Sequence, residues 1–232
     1  MQFTKSLIKG KLIKRYKRFF TDIKIGKEIV TAHCPNTGSM MGLLDEGNEV
    51  FISKNDNSKR KLKYTLEIIK TKKKLIGVNT HFANKIAFHG LSNNLIKEIK
   101  NTDNIKPEVF FDKETRFDFL IQKNKQKIFV EVKNVTLFRD KKIAEFPDSI
   151  TSRGTKHLKT LIEAKKKGYK SYLLFLVQIQ GVENFKIAKD IDKEYYESYL
   201  LAKKAGVNFL AYRCKISSKE IRIEKKIKII NA

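Results

Sequence analysis

The chain has 232 residues, 41% of them apolar, and 50 Lys and Arg against 25 Asp and Glu, a formal net charge of +25. At about 100–200 residues per domain it forms one domain or two small ones, with enough apolar residues for a core, which excludes a disordered chain. The longest apolar run, Tyr172 to Val177, falls far short of the roughly 18–20 residues a membrane span needs, and the Lys-studded N-terminus lacks an apolar signal core. The sequence therefore reads as cytoplasmic, with no membrane partner.

From the N-terminus, residues 1–21 carry Lys5, Lys9, Lys11, Lys14, Arg15, Lys17 and Arg18 and no acid, interleaved with Tyr16, Phe19 and Phe20. Basic groups beside aromatic rings suit a phosphate backbone with stacked bases, so Arg15, Tyr16 and Arg18 are candidates for contact with DNA or RNA. Tyr16 and Phe19 read either as stacking platforms or as core residues, with Phe19 expected in the core. Of the 50 basic residues 42 are Lys, an excess that an A+T-rich genome would also produce. Lys makes point contacts where Arg makes base-reading forks, so the expected binding is weakly sequence-specific. A second basic cluster spans residues 59–74.

Short β segments follow at 12–25, 28–33, 49–53, 64–71 and 74–78, broken by Gly26, the 35–42 stretch and Gly47, a pattern that predicts a small β-barrel. In Cys34-Pro-Asn-Thr-Gly38-Ser-Met, Pro and Gly dictate a turn. Its backbone amides with Asn36, Thr37 and Ser39 meet either nucleic acid or the second domain. From about Asn79 the texture changes to α/β: a helix at 82–89 continuing near 95–100, strands at 115–122 and 127–133, and a helix at 152–167 ended by Gly168. Then come a strand buried on both faces at 171–178, a helix at 193–205 ended by Gly206, and strands at 208–212 and 220–229. The expected division is a β domain over 1–78 and an α/β domain over 79–232. Cys34 and Cys214 are too far apart for a short zinc pair, and a disulfide is not expected in a cytosolic chain. His33, His81 and His89 show no metal-ligand spacing. No Ser-His-Asp order or Gly-rich nucleotide loop supports a small-molecule enzyme.

The chemistry concentrates in Arg116-Phe-Asp-Phe-Leu-Ile, a polar turn, and Ile128-Phe-Val-Glu-Val-Lys133. If Gln122 pairs with Lys127, the antiparallel register sets Asp118 opposite Glu131, with Lys133 on the same face and Phe117, Phe119, Ile128, Val130 and Val132 on the other. Opposed Cβ atoms about 4.5–5.5 Å apart let two acids share a hard divalent cation, Mg2+ or Mn2+. With a lysine beside them, they match what metal-dependent phosphodiester cleavage requires, and the alternative is a solvated salt-bridging hairpin face. In the 152–167 helix, Leu158, Leu161 and Ile162 form the buried stripe. Arg153 and His157, at i and i+4 on its flank, either reach a phosphate or make structural hydrogen bonds. Asp148 serves the helix N-terminus or a metal.

The chain resembles the sugar fermentation stimulation protein family nearly end to end. The resemblance runs through Arg15-Tyr-Lys-Arg-Phe19, Thr31-Ala-His-Cys-Pro-Asn-Thr-Gly-Ser-Met40, Gly77-Val-Asn-Thr80 with Asn84, Arg116-Phe-Asp118, Val130-Glu-Val-Lys-Asn-Val-Thr136, Phe146-Pro-Asp148, Thr151-Ser-Arg-Gly154 and Lys156-His-Leu158. It implies an N-terminal OB-like β-barrel followed by a PD-(D/E)xK nuclease-like α/β domain, and DNA binding linked to sugar-metabolism genes. By that nuclease pattern Asp118, Glu131 and Lys133 match the acid, acid and lysine of the core motif, and Glu108 the earlier acid. A simple hairpin through 112–115 would pair Glu108 with Phe119 on the wrong face, so a bulge or helix must intervene. Two functions fit: a Mg2+- or Mn2+-dependent nuclease, or a DNA-binding regulator on a nuclease-like scaffold.

Overall fold

The computed structural model describes residues 1–57, 59–72 and 74–231; Lys73, in the second basic cluster, lies outside them. Strands β1 (Ile8–Tyr16), β2 (Phe20–Ile25), β3 (Glu28–His33), β4 (Glu49–Lys54), β5 (Tyr64–Lys70) and β6 (Leu75–Gly77) form one sheet in the order β3-β2-β1-β4-β5-β6. A further β3–β5 pairing, Ala32 with Tyr64 and His33 with Thr65, closes it into a five-stranded barrel. The segment predicted as one strand over 12–25 is a hairpin. Lys17 and Arg18 both adopt positive φ, 45° and 61°, the sense that suits the twist of paired strands. No Gly or Asn marks this turn, so it is invisible to composition.

The second part comprises α1 (His81–Ser92), β7 (Asn104–Phe110), β8 (Arg116–Lys123), β9 (Gln126–Val135), β10 (Ile143–Phe146), α2 (Ser152–Lys166), β11 (Lys170–Val177), β12 (Asn184–Ile187), α3 (Lys193–Lys204), β13 (Asn208–Ile216), β14 (Ile221–Lys226) and β15 (Lys228–Ile229). Its main sheet runs β14-β13-β11-β9-β8-β7, with β9, β11 and β13 mutually parallel and the remaining pairings antiparallel. Short parallel strands β10, β12 and β15 make a satellite sheet. The expected α/β domain is present, with β7, β10 and β12 as unforeseen strands. Residues 95–100 form turns instead of a helical continuation, and the 220–229 strand divides between two sheets.

Helix α1 buries Ala83, Ile86, Ala87, Gly90 and Leu91, spaced as one helical face, against Phe119, Val130, Leu174 and Ile223. Gly90 is required there: a Cβ would stand 2.3 Å from Ile223 Cδ1. Helices α2 and α3 cover the other face, where Leu158, Leu161 and Tyr195 join Phe129, Leu173 and Phe175 in a core continuous with the barrel interior. Ile162 is only half-buried. Strand β11 is buried on both faces as expected.

Candidate metal centre and nucleic-acid interface

The β8–β9 hairpin has the register read from sequence: Gln122 pairs with Lys127 and Phe119 with Val130. Pairing then stops one step short of Asp118 and Glu131. The Val132 N–H, instead of continuing the ladder, donates to Asp118 Oδ2 at 2.7 Å, and β8 leaves its pleat at this point. Phe117 is consequently displaced from its expected side. Phe119, Ile128, Val130 and Val132 pack under α1, but Phe117 lies in the opposite core, 5.0 Å from Phe129 and 5.6 Å from Phe111 between ring centroids. The acids are therefore not a plain cross-strand pair on one face. Asp118 is held at the break by α1, whose Asn84 donates to its Oδ1 at 2.7 Å, while Glu131 is held from the α2 side.

Glu131 and Lys133 do share a face, as alternation requires, and their charges meet at 2.8 Å. His157 Nδ1 also contacts Glu131 Oε1 and lies 3.2 Å from Lys133 Nζ. His157 is buried, so it does not reach out to a phosphate; it braces Glu131, and Arg153 Nε sits 3.4 Å from its Nε2. Burial pushes the Glu131 carboxyl up, yet the Lys133 ammonium and the His157 contacts together hold it below the usual carboxylate range. Glu131 Oε2 is buried with no hydrogen-bond partner among the described residues. For Asp118 the balance is reversed: burial first, then the Glu131 charge, push its pKa up to about 7.

Glu108 stands across from Asp118. The β7–β8 register pairs Phe110 with Arg116 and Pro107 with Phe119, one residue off the simple hairpin, and skips Glu108, which adopts a left-handed φ of 54°. The expected bulge or helix is absent: the one-residue offset lies in the turn, the register is constant through the strand, and Glu108, a non-glycine residue in left-handed backbone, falls opposite Asp118. Asn84 Nδ2 donates to Glu108 Oε1 at 3.2 Å as well as to Asp118, a bridging role that no sequence spacing marks. The other Glu108 oxygen pairs with Arg116 Nε at 2.8 Å. Among the described residues no three His, Cys, Asp or Glu converge into a cation cage, so Glu108 with Asp118 and Glu131 does not form a preformed triad.

On the barrel side several candidates have other partners. Arg15 donates to the carbonyls of Asn36 at 2.6 Å, Arg18 at 2.8 Å and Gly38 at 3.0 Å, which commits its guanidinium to holding the loop. Asn36 is buried, accepting from Gly38 N–H at 2.9 Å and donating to Val78 O at 3.3 Å, so its side chain is not presented to a ligand. Ser39 Oγ donates to Asp148 O at 2.6 Å and Met40 N–H to Asp148 Oδ2 at 3.2 Å. Of the two roles open to this loop, it meets the second domain. Asp148 neither caps α2, whose N-cap is Thr151, nor joins the acids. Phe19, expected in the core, is 44% exposed and Tyr16 is 37% exposed. Arg18 and Arg153 line a cleft of about 760 Å3 between the 36–39 loop and residues 134–153.

Two domains are recognised by family profiles, an SfsA N-terminal OB domain over residues 13–78 and a sugar fermentation stimulation protein RE domain over residues 81–220. The chain belongs to the sugar fermentation stimulation protein family. It is 84% identical over 232 residues, the full length of both chains, to a sugar fermentation stimulation protein homolog of Pelagibacter ubique. It is 43% identical to a homolog from Pseudoalteromonas atlantica, over 99% of this chain and 100% of that one. A solved structure of Pyrococcus furiosus SfsA in complex with Ca2+ superposes with a TM-score of 0.89 at 25% identity, covering 99% of this chain and 98% of the other. The expected fold class, an OB barrel followed by an α/β domain, is the one this sugar fermentation stimulation family member adopts. No helix among the described residues is long and apolar enough to cross a membrane.

The donor set in this family member suits a hard divalent cation. Two carboxylates supply only oxygen ligands, one oxygen is buried without a partner, and burial beside the Glu131 charge pushes Asp118 up to about 7. A cation would relieve both conditions.

Proposed function

We propose that the protein binds DNA or RNA in the cytoplasm and hydrolyses phosphodiester bonds with Mg2+ or Mn2+ held by Asp118 and Glu131. In this reading the barrel over residues 1–78 grips nucleic acid and residues 79–232 carry the chemistry. The observation that carries it is the unpartnered, buried Oε2 of Glu131 beside an Asp118 whose pKa is pushed up to about 7. A divalent cation there supplies Lewis-acid polarisation of the scissile phosphate and a water acidified toward neutral pH. Lys133 provides positive charge beside Glu131 for the developing oxyanion, His157 fixes the Glu131 rotamer, and Asn84 holds Asp118 and Glu108 in place. The Ca2+ of the Pyrococcus furiosus relative supports an oxygen-donor divalent site. The OB domain and the charge of +25 support nucleic acid as the ligand.

The test is cleavage of single-stranded DNA, duplex DNA and RNA by purified protein with and without Mg2+ or Mn2+. Asp118→Asn and Glu131→Gln are expected to abolish cleavage and to leave affinity equal or higher, since each removes a negative charge facing phosphate. Lys133→Ala is expected to lose cleavage and some affinity. Cleavage that survives both acid substitutions refutes the site. Divalent binding with no cleavage of any of the three substrates favours a regulator on a nuclease-like scaffold.

A further inference from the structure

Phe19 and His33 lie on the barrel with ring centroids 6.4 Å apart and planes within 19°, and His33 lies 6.4 Å from His81, the first residue of α1. One turn further along α1 is Asn84, which binds Asp118 and Glu108. A row of rings thus runs from the β1–β2 hairpin across the junction to the acids. Phe19 and His81 are exposed and His33 is half-buried. Neither imidazole makes a side-chain hydrogen bond among the described residues, and their ring contacts are with each other and with Phe19. Burial, then the Arg60 and His81 charges, hold His33 below its usual pKa, which keeps its ring neutral and suited to stacking. Lys17 and Arg18 at the hairpin tip and Arg60, whose charge acts on His33, place cations along the row.

We infer that Phe19, His33 and His81 form a stacking track that delivers single-stranded nucleic acid to the acid cluster. The inference rests on the nuclease reading for its destination but not for its binding chemistry. Aromatic platforms engage base faces, which a duplex hides within its own stack, so a row of exposed rings selects unpaired strands. Flanking cations follow the backbone without reading sequence.

The experiment measures affinity by fluorescence anisotropy in EDTA, using oligothymidylate and oligouridylate of about 12 nucleotides, within the span of one OB fold, and a duplex of the same length. Phe19→Ala and His81→Ala, both at exposed positions, are each expected to weaken single-strand binding about 5- to 100-fold and duplex binding less than about 2-fold. His33→Ala behaves likewise, and His33→Phe, which keeps a ring, restores binding. Unchanged single-strand affinity in Phe19→Ala and His81→Ala, or an equal loss on duplex, overturns the track. The two readings fail separately: selective loss without any divalent-dependent cleavage keeps the track and removes the nuclease, whereas cleavage with unaltered single-strand affinity does the reverse.

Discussion

Replacing Asp118 by Asn should stabilise the metal-free protein, increasingly so as pH rises. The Asp118 pKa moves from its usual 3.8 to about 7 because the carboxyl is buried and faces Glu131. Folding therefore takes up a proton between those values. The stability of the neutral carboxyl is fully present below about pH 3.8 and is lost as pH rises through about 7. At about 1.4 kcal/mol per pH unit, the loss between pH 5 and 8 comes to roughly 3 kcal/mol. Asn has no charge to lose. It cannot accept from both Val132 N–H and Asn84 Nδ2, which costs about 1–2 kcal/mol, but that cost is the same at every pH. The measured quantity is thus the difference between variant and parent, by urea unfolding in EDTA at pH 5 and pH 8, followed by circular dichroism. The gap should move in favour of Asn by about 3 kcal/mol. Glu131→Gln should shrink the pH dependence of the parent, since its charge is the second cause of the shift. Saturating Mn2+ should reverse the order at pH 8 by stabilising only the chain that retains both carboxylates. A gap that is the same at both pH values would refute the account of Asp118 as an acid forced toward neutrality.

Gly38→Ala places a Cβ 2.4 Å from Asp148 Oδ2, so it should destabilise the protein by about 1–3 kcal/mol in urea unfolding, and Asp148→Ala should relieve part of that cost in the double variant. Arg15→Ala should lower stability by about 1–3 kcal/mol, because three loop carbonyls lose a charged donor, while Arg18→Ala should leave stability within about 0.5 kcal/mol. In duplex binding, the slope of log affinity against log salt should fall by about 0.9 for Arg18→Ala and for Arg153→Ala, if each neutralises one phosphate; titrations at several ionic strengths check this. Asn84→Ala should reduce divalent affinity, read by calorimetry, with a stability loss of about 1–2 kcal/mol, since two carboxylates lose a shared donor.

What was legible in the sequence was what repeats at short range. The 119–123 and 126–130 pairing followed from a polar turn between two apolar runs, and the ends of α2 and α3 from Gly168 and Gly206, both at positive φ. The β1–β2 turn was missed because Lys17 and Arg18 supply a conformation ordinarily given to Gly or Asn. Strands β10 and β12 are four residues each, too short for alternation to emerge. The partners of Ser39 and Met40 were out of reach for another reason. Asp148 is 109 and 108 residues away from them, and no local pattern encodes a contact at that separation. The charge of Arg15 is visible in sequence and suggests a phosphate contact, whereas the carbonyls that consume it are not visible there.

The same limit bears on the acids, where burial alone would not distinguish a ligand site from a structural ion pair. Three other groups give the contrast. Glu67 is buried, but its oxygens accept separately from Ser53 at 2.6 Å and Asn79 at 2.7 Å. Glu145 is buried, but both oxygens meet Arg139, with Lys186 at 3.3 Å from one of them. Asp190 is exposed and is drawn down to about 2 by Arg139. Each of these is satisfied by its own chain. Glu131 instead crowds Lys133 and His157 onto one oxygen and leaves the other empty, beside an Asp118 pushed up to about 7 and a Glu108 in left-handed backbone. An unpaired buried acceptor and a left-handed residue each cost about 1–3 kcal/mol, and a fold selected for stability alone had the means, shown at Glu67 and Glu145, to avoid them. Their concentration around the point where the β8–β9 pairing stops is what a bound cation would repay.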